Sequence, residues 1–272
     1  MSAQEMSFWD HLEELRWTLF RIIIALIVFA VGGFIIMPWF FDTVILGPTK
    51  ADFFLYNAMC NLSQKFPLLP DFCNNNLQID MINIELTAQF FRHLSTSGWL
   101  ALVLICPYIL FEIWRFVSPA LYEHEKKNVR WVFLFGSVMF FIGCFVGYTF
   151  VFPMALRFLY VYELSSVIHN QVSLDSYLSA FLSLVLIMGL VFEMPLISWL
   201  LSQIGILKKS FFKNYRRHAI VILLIAAAVI TPTGDPFTLS LVFIPLYSLY
   251  EFSIFLVKKD PVEEDDVAVE RG

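Results

Sequence analysis

Long apolar runs, most of them close to the length that crosses a lipid bilayer as a helix, dominate this sequence. A membrane-spanning helix needs about 20 predominantly apolar residues to cross a hydrocarbon core of roughly 30 Å. The runs therefore predict an all-α, polytopic membrane protein with six transmembrane helices in a single transmembrane domain, residues 1–257. The predicted spans are residues 17–37, 94–116, 131–152, 177–201, 219–230 and 237–257.

The composition agrees with a membrane protein. Hydrophobic residues make up 59% of the chain and charged residues 15%, whereas a soluble domain has about half and a quarter. Acidic residues precede the first apolar run, at Glu5, Asp10, Glu13 and Glu14. A cleavable signal peptide is basic in this region, so we expect the first span to be retained.

Three segments are expected to lie outside the spans. Residues 7–16 have an apolar stripe at helical spacing and predict a short amphipathic helix on the membrane surface. Residues 39–92 predict a long loop with little regular structure, although residues 77–86 alternate enough to permit a strand. The acidic residues 258–272 predict a disordered tail.

The fifth span is unusually short. Its twelve unbroken apolar residues would rise about 18 Å as a helix. Either the helix extends into its polar flanks or the bilayer is locally thin there, and a complete crossing through a thinned bilayer is favoured. The alternative is a re-entrant pair formed by the fifth and sixth spans, with Thr231–Pro236 as the tight turn between them.

The distribution of lysine and arginine predicts the orientation. Basic residues cluster in alternate loops and after the last span, at Lys126, Lys127, Arg130, Lys208, Lys209, Lys213, Arg216, Arg217, Lys258 and Lys259. The positive-inside rule places these segments and both termini in the cytoplasm. The long first loop then faces outward, where a disulfide between Cys60 and Cys73 is possible.

Ionisable residues within the spans are candidate functional residues, because a charge in the membrane is costly. Glu193 is the clearest case. The alternative is that it makes hydrogen bonds within the bundle or faces a water-filled cavity. Glu112 and Arg115 are three residues apart and are expected to pair on one helix. Glu251 is close enough to the end of the last span to reach the cytoplasmic interface.

Carboxylates also cluster where basic residues normally dominate, at the cytoplasmic surface. They are Glu13, Glu14, Glu123 and Glu125. Such a cluster is able to bind a cationic ligand, but ordinary surface charge paired with neighbouring Arg and Lys residues is the simpler explanation on spacing alone. The sequence contains no nucleotide-binding or nucleophile motif, and the histidines have no metal-ligand spacing. We therefore expect neither an enzyme nor a bound cofactor, metal or nucleic acid.

Several stretches together resemble the TatC family, the large multispan subunit of the twin-arginine protein translocase. They extend from residue 8 to about residue 257. The matching stretches are HLEELR at 11–16, TAQFF at 87–91, FEIWRFVSPALYEHEKK at 111–127, FEMP at 192–195, ITPTGDPF at 230–237 and IPLYSLYE at 244–251.

The resemblance implies a function and a set of site residues. It implies a cupped bundle with short fifth and sixth helices in the bacterial cytoplasmic (inner) membrane. It further implies a receptor and scaffold that binds twin-arginine signal peptides and, with small single-span subunits in homo- and hetero-oligomers, exports folded proteins using the proton-motive force. By motif position, Glu14 and Glu125 would hold the two arginines, and Phe116 and Pro119 would shape the same site. Glu193 and Asp235 would be polar docking residues for partner subunits.

The principal alternative is a proton-coupled small-molecule transporter that uses Glu193 as its proton site. Such transporters are built from repeated halves with broken helices that meet near mid-membrane. We find no such repeat in the sequence, and translocation is therefore the favoured function.

Overall fold

A computed structural model describes residues 8–50, 52–65, 79, 81–117, 123–162, 165, 170–203, 206–231 and 234–257, and within residues 123–132 it describes the backbone path. This part of the chain is almost entirely helical. The helices are α1 Phe8–Phe40, α2 Phe54–Lys65, α3 Ala88–Val117, α4 Glu123–Val146, α5 Phe152–Val161, α6 Leu174–Val191, α7 Met194–Gln203, α8 Lys209–Asn214, α9 Arg216–Ile230 and α10 Pro236–Leu256; the two short strands are β1 Met81–Ile82 and β2 Val172–Ser173.

The helices form an antiparallel bundle with two distinct ends. At one end, His11 of α1 stacks on Phe116 of α3 with ring centroids 4.3 Å apart. At the other end, Phe34 of α1 stacks on His93 of α3 at 4.0 Å. The first end also holds α8 and the start of α9 with their lysines and arginines, and we call it the basic end. The second holds α2 and the β1–β2 pair, and we call it the loop end.

Five helical stretches in the described part of the chain are long and apolar enough to cross a membrane, which confirms an all-α polytopic membrane fold. They are His11–Asn61, Ala88–Phe116, Phe133–Val161, Leu174–Gln203 and Pro236–Leu256. Helix α9 is not among them, because its 15 residues rise only about 22 Å. The count of six spans therefore stays a prediction.

Helix α1 is continuous over 33 residues. Residues 8–16 and the predicted first span at 17–37 form one helix, because no helix-breaking residue separates the two segments. The amphipathic stripe belongs to the first turns of the same helix.

Helix α1 also continues past residue 37, the predicted end of the first span, and through Pro38. This proline lies within the helix, where its missing N–H leaves the Phe34 carbonyl, four residues earlier, without an intrahelical donor. Nε2 of His93 lies 2.9 Å from that carbonyl oxygen and donates a hydrogen bond to it. The proline thus creates an acceptor that links α1 to α3.

The described part of the predicted loop over residues 39–92 contains more regular structure than expected. It contains α2 and, directly after α1, a π-helical turn at Phe41–Ile45. The Tyr148 hydroxyl donates to the Val44 carbonyl at 3.0 Å, and the Tyr177 hydroxyl donates to the Ile45 carbonyl at 2.6 Å. Side-chain hydroxyls from neighbouring helices thus satisfy backbone groups that a regular helix would pair internally.

Residues 77–86, which the sequence analysis assigned to a loop while noting that their alternation permits a strand, contain the two-residue strand β1. Strand β1 pairs in parallel with β2, with Met81 opposite Val172 and Ile82 opposite Ser173. This short strand pair joins the segment between α2 and α3 to the segment before α6.

The third predicted span also differs in its boundary. It was predicted to end at residue 152, but the chain passes through a π-helical turn at Gly147–Val151 into α5. Pro153, the second residue of α5, directly follows this π-helical turn and remains within the helical path.

The fourth predicted span consists of two helices. Helix α6 ends at Val191 and α7 begins at Met194, with Phe192 and Glu193 in the turn between them. Pro195 has no N–H for the Val191 carbonyl, which interrupts the hydrogen-bond ladder at this point. The turn places Glu193 inside the bundle.

Helices α9 and α10 connect the two ends of the bundle. Phe237, in the first turn of α10, stacks on Phe158 of α5 at 4.2 Å, at the loop end. Near the other end of α10, Glu251 pairs with Arg216 at 2.7 Å. Gly234, before α10, has a φ of 60°, which glycine adopts readily. These contacts favour a complete crossing by α9 over a re-entrant pair.

Candidate functional site

The start of α1 and the end of α3 form a polar surface at the basic end. The His11 ring covers Phe116, and both side chains are half-buried. Glu14, one turn further along α1, is also half-buried, whereas its neighbour Glu13 is exposed. No hydrogen bond or ion pair to Glu14 occurs among the described residues, and its charge acts at a distance on Arg21.

A second polar cluster lies two turns deeper along α1. Arg21 Nε and Nη2 donate to Glu112 Oε2 on α3 at 3.0 and 2.8 Å. The Tyr108 hydroxyl donates to the other carboxylate oxygen at 3.0 Å, and Arg21 Nη2 also donates to the Thr18 hydroxyl at 3.0 Å. Glu112 is 3% exposed and Arg21 32%. The carboxylate is therefore neutralised and fully hydrogen-bonded inside the chain.

The predicted pairing of Glu112 with Arg115 on one helix is wrong. Its ionic partner is Arg21, 91 positions earlier in the chain. Because α1 and α3 run antiparallel in close contact, Arg21 meets Glu112 across the interface.

The remaining residues predicted for the signal-peptide site are described less fully. Glu125 lies in the first turn of α4, which follows α3 at the same basic end. Pro119 lies outside the described residues. The structure therefore brings the backbone of Glu125 to the end of the bundle that holds Glu14 and Phe116.

Glu193 is buried at the turn between α6 and α7. Its side chain is 6% exposed, and neither carboxylate oxygen has a hydrogen-bond partner in the described part of the protein. Gly136 of α4 lies opposite, and a Cβ added there would come 3.0 Å from Glu193 Oε2. An unpaired buried carboxylate is costly. Glu193 is thus the one carboxylate among the described residues that is buried with both oxygens unpaired.

Glu251 is accounted for by its neighbours. It accepts from Arg216 Nη2 of α9 at 2.7 Å and from the Tyr247 hydroxyl at 3.1 Å. Glu251 lies at the basic end, in agreement with its predicted position near the end of the last span. Its ion pair with Arg216 joins α9 to α10.

Asp235 begins α10. Its Oδ1 accepts the backbone N–H of Thr238 at 2.8 Å, which caps the helix. This contact provides a structural function that the sequence analysis did not assign to it.

The cysteines divide into two groups. Cys60, in α2, is disulfide-bonded, whereas Cys106 and Cys144 are free and buried. Cys73 lies outside the described residues, so the pairing of Cys60 with Cys73 stays a prediction.

The sequence analysis missed Arg21. It lies inside the first predicted span, where a charged residue is a candidate functional residue for the same reason as Glu193. A search of the spans for both signs of charge would have found it. Its partner depends on the packing of α1 against α3 and was not available from spacing.

The described residues contain no group of three or more His, Cys, Asp or Glu side chains placed to hold a metal. The fold and these sites define a multi-pass helical membrane protein with polar residues at helix ends and at one break within the bundle.

The comparisons with known proteins identify its family. Residues 10–245 match the family model of the Sec-independent protein translocase protein TatC. The chain therefore belongs to the TatC family. As a family member it is a subunit of the twin-arginine translocase, a transport component of a bacterial membrane and not an enzyme.

Individual relatives match over nearly the whole chain. The TatC protein of Blattabacterium sp. subsp. Periplaneta americana (strain BPLAN) is 35% identical over 255 residues, which cover 93% of this chain and 95% of the relative. That of Aquifex aeolicus (strain VF5) is 31% identical, with 93% and 95% covered. A crystal structure of the twin-arginine translocase receptor TatC in DDM has a TM-score of 0.72 at 30% identity and covers 91% of this chain and 99% of that one. These matches give no support to the alternative of a small-molecule transporter.

Proposed function

We propose that this chain is the receptor subunit that binds twin-arginine signal peptides at the basic end of the bundle. The observation that carries the proposal is the carboxylate of Glu14, which is half-buried one turn after His11, the residue that stacks on Phe116, and has no hydrogen-bond or ion-pair partner among the described residues. A guanidinium is planar and pairs with a carboxylate through two parallel hydrogen bonds. Glu14 would bind one arginine of the peptide and Glu125 the other.

The same proposal assigns the remaining site residues and the partners. Phe116 and Pro119 shape the peptide site. Glu193 and Asp235 are docking residues for small single-span subunits. Folded cargo crosses the cytoplasmic membrane with the energy of the proton-motive force.

The test is the affinity of the purified chain for a fluorescent twin-arginine signal peptide. Glu14→Ala or Glu125→Ala is expected to weaken binding by about 1–2 kcal/mol, because solvent reaches the site and reduces the value of each pair. Glu125→Lys is expected to abolish binding through charge repulsion. Glu13→Ala is the matched control, since it removes an exposed carboxylate from the adjacent position of α1.

A second peptide in which two lysines replace the arginines checks the chemistry. It should bind more weakly to the unchanged chain, because an ammonium group does not make the paired hydrogen bonds. Undiminished affinity of Glu125→Lys for the twin-arginine peptide would contradict the proposed site.

A further inference from the structure

Helix α1 is the least buried within the chain of the five helical stretches long enough to cross a membrane. In its most apolar window, 6% of residues are buried, against 28–50% in the other four stretches. Its exposed side chains are large and apolar, among them Ile24, Val28 and Ile35. Contacts between apolar surfaces provide little driving force for association in lipid, because the lipid tails are equally apolar. Apolar packing therefore gives α1 a weak preference for one axial position along α3.

Specific polar contacts are needed to define that position. At the basic end, Arg21 binds Glu112 through two N–H groups. At the loop end, His93 donates to the Phe34 carbonyl freed by Pro38. Between them, a Cβ at Gly33 would lie 3.3 Å from the Ser97 carbonyl oxygen, which shows that the two backbones are close together.

The polar cluster and the proposed receptor carboxylate share one face of α1. Glu14, Thr18 and Arg21 are spaced i, i+4 and i+7, which places them in one row on a helix. A slide of α1 by one turn would move Glu14 by about 5.4 Å. This distance exceeds the tolerance of a hydrogen bond, so the register of α1 decides whether Glu14 meets its ligand.

We propose that the Arg21–Glu112 pair sets the axial register of α1 against α3 and thereby positions Glu14 for the peptide arginine. Arg21 and Glu112 are positioning residues, because Glu112 is already saturated by Arg21 and Tyr108 and is 3% exposed. The second half of the proposal rests on the proposed function of Glu14, whereas the first half is independent of it.

Two measurements on the full-length chain test the two halves separately. The first is oxidative crosslinking of the pair His11→Cys/Phe116→Cys, which reports the native register, and of Leu15→Cys/Phe116→Cys, which reports a one-turn displacement. Both are read as linked peptides by mass spectrometry. The second is the affinity for a twin-arginine peptide, measured without the added cysteines.

Arg21→Ala and Glu112→Ala should each lower the yield of the native crosslink and raise that of the displaced one. Each should also weaken peptide binding by about threefold to thirtyfold, the range that polar contacts between membrane helices contribute. The exchange Arg21→Glu/Glu112→Arg should restore both readouts together, and Arg21→Lys should be intermediate because it keeps the charge and loses the two-point contact. Arg216→Ala is the matched control: it removes an ion-paired arginine at the same end of the bundle and should change neither readout.

Each outcome has a defined meaning. An unchanged native crosslink in Arg21→Ala overturns the proposal. So does recovery of the crosslink without recovery of binding in the exchanged pair, because Arg21 would then contact the peptide itself. If the register shifts while Glu14→Ala binds peptide normally, the proposed function of Glu14 fails and the positioning function fails with it, although the register assignment stands. If Arg21→Ala does not fold, Arg21→Lys and the exchanged pair provide the same comparisons.

Discussion

At the scale of single residues, the most informative feature is a carboxylate that lacks a partner. Glu193 is enclosed by α4 and α7, with Gly136 leaving room for its oxygens. Insertion of a charged side chain near mid-membrane costs about 2.5–3.5 kcal/mol on translocon scales. By contrast, Glu112 and Glu251 each have an arginine and a tyrosine hydroxyl. Glu193 therefore has the most to gain from a polar group on another chain.

We predict that Glu193→Ala leaves folding and signal-peptide binding near normal while reducing association with a single-span partner and export. Glu193→Gln should have a milder effect, because an amide still forms hydrogen bonds. Site-specific crosslinking to the partner helix and export of a reporter cargo are the measurements. Glu251→Gln is the control, since that carboxylate already has partners in the chain.

Persistent crosslinking and normal export in Glu193→Ala would show that Glu193 is a buried structural residue. The same assay extends to Asp235. Loss of its helix cap should reduce stability, so Asp235→Asn separates capping, which the amide oxygen preserves, from docking.

At the scale of helices, the contact between α4 and α6 depends on glycine. A Cβ at Gly143 would lie 2.6 Å from the Met188 carbonyl oxygen and 2.8 Å from Phe192 Cβ. Small residues at such positions let the backbones approach, and this close packing stabilises helix pairs in membranes. The contact between α4 and α6 at Gly143 also supports the α6–α7 turn that contains Glu193.

We predict that Gly143→Ala destabilises the protein in detergent by about 1–3 kcal/mol, since the added methyl must separate two backbones. Gly32→Ala is the matched control, because a Cβ there meets nothing within 4 Å. It should be neutral or stabilising by up to about 1 kcal/mol, the helix preference of alanine over glycine. Thermal unfolding followed by light scattering measures both. Equal stability of the two variants would contradict the close contact.

The disulfide of α2, at the loop end, provides a second prediction at this scale. We predict that the partner of disulfide-bonded Cys60 is Cys73. The bridge would stabilise the outer segment by about 3 kcal/mol on the loop-entropy model. Peptide mapping of unreduced protein should find the linked pair, and Cys73→Ser should free Cys60 for thiol labelling. A reactive Cys73 in unreduced wild-type protein would refute the pairing.

At the scale of the whole molecule, the distribution of charge between the two ends predicts the orientation in the membrane. The basic end holds Lys208, Lys209 and Lys213 beside the start of α9. The loop end holds α2 and the β1–β2 pair. The positive-inside rule predicts that the basic end lies in the cytoplasm, and the proposed peptide site lies at this end.

Reporter fusions test this orientation. Fusions after Lys127, Lys209 and Lys259 should report a cytoplasmic location, and fusions near Asn75 and His169 an external one. A cytoplasmic signal at Asn75 would overturn the orientation. A fusion after Lys209 and one near Asn75 also decide whether the chain between them crosses an odd number of times.

The sequence by itself determined the class of the protein and the approximate extent of most spans. The physical reason is that a helix in lipid must satisfy its own backbone and present apolar side chains, and both requirements act within one segment. The shortness of α9, the break at Pro195 and the motifs of the family are equally local. The predicted span ends at residues 37 and 152 were wrong because a proline can remain helical next to a π-helical turn, as at Pro153, or where a neighbouring side chain donates to the freed carbonyl, as at Pro38.

The tertiary structure alone decided which distant residues meet. The pairing of Arg21 with Glu112, the donation from His93 to the Phe34 carbonyl and the approach of Gly143 to Met188 each join two helices. Their geometry depends on the register and separation of those helices, to which the spacing of residues along one segment contributes no information. Glu193 is a further example. The sequence identifies it as a costly residue within a span, but the packing of α4 against α7 decides that its carboxylate has no hydrogen-bond partner among the described residues.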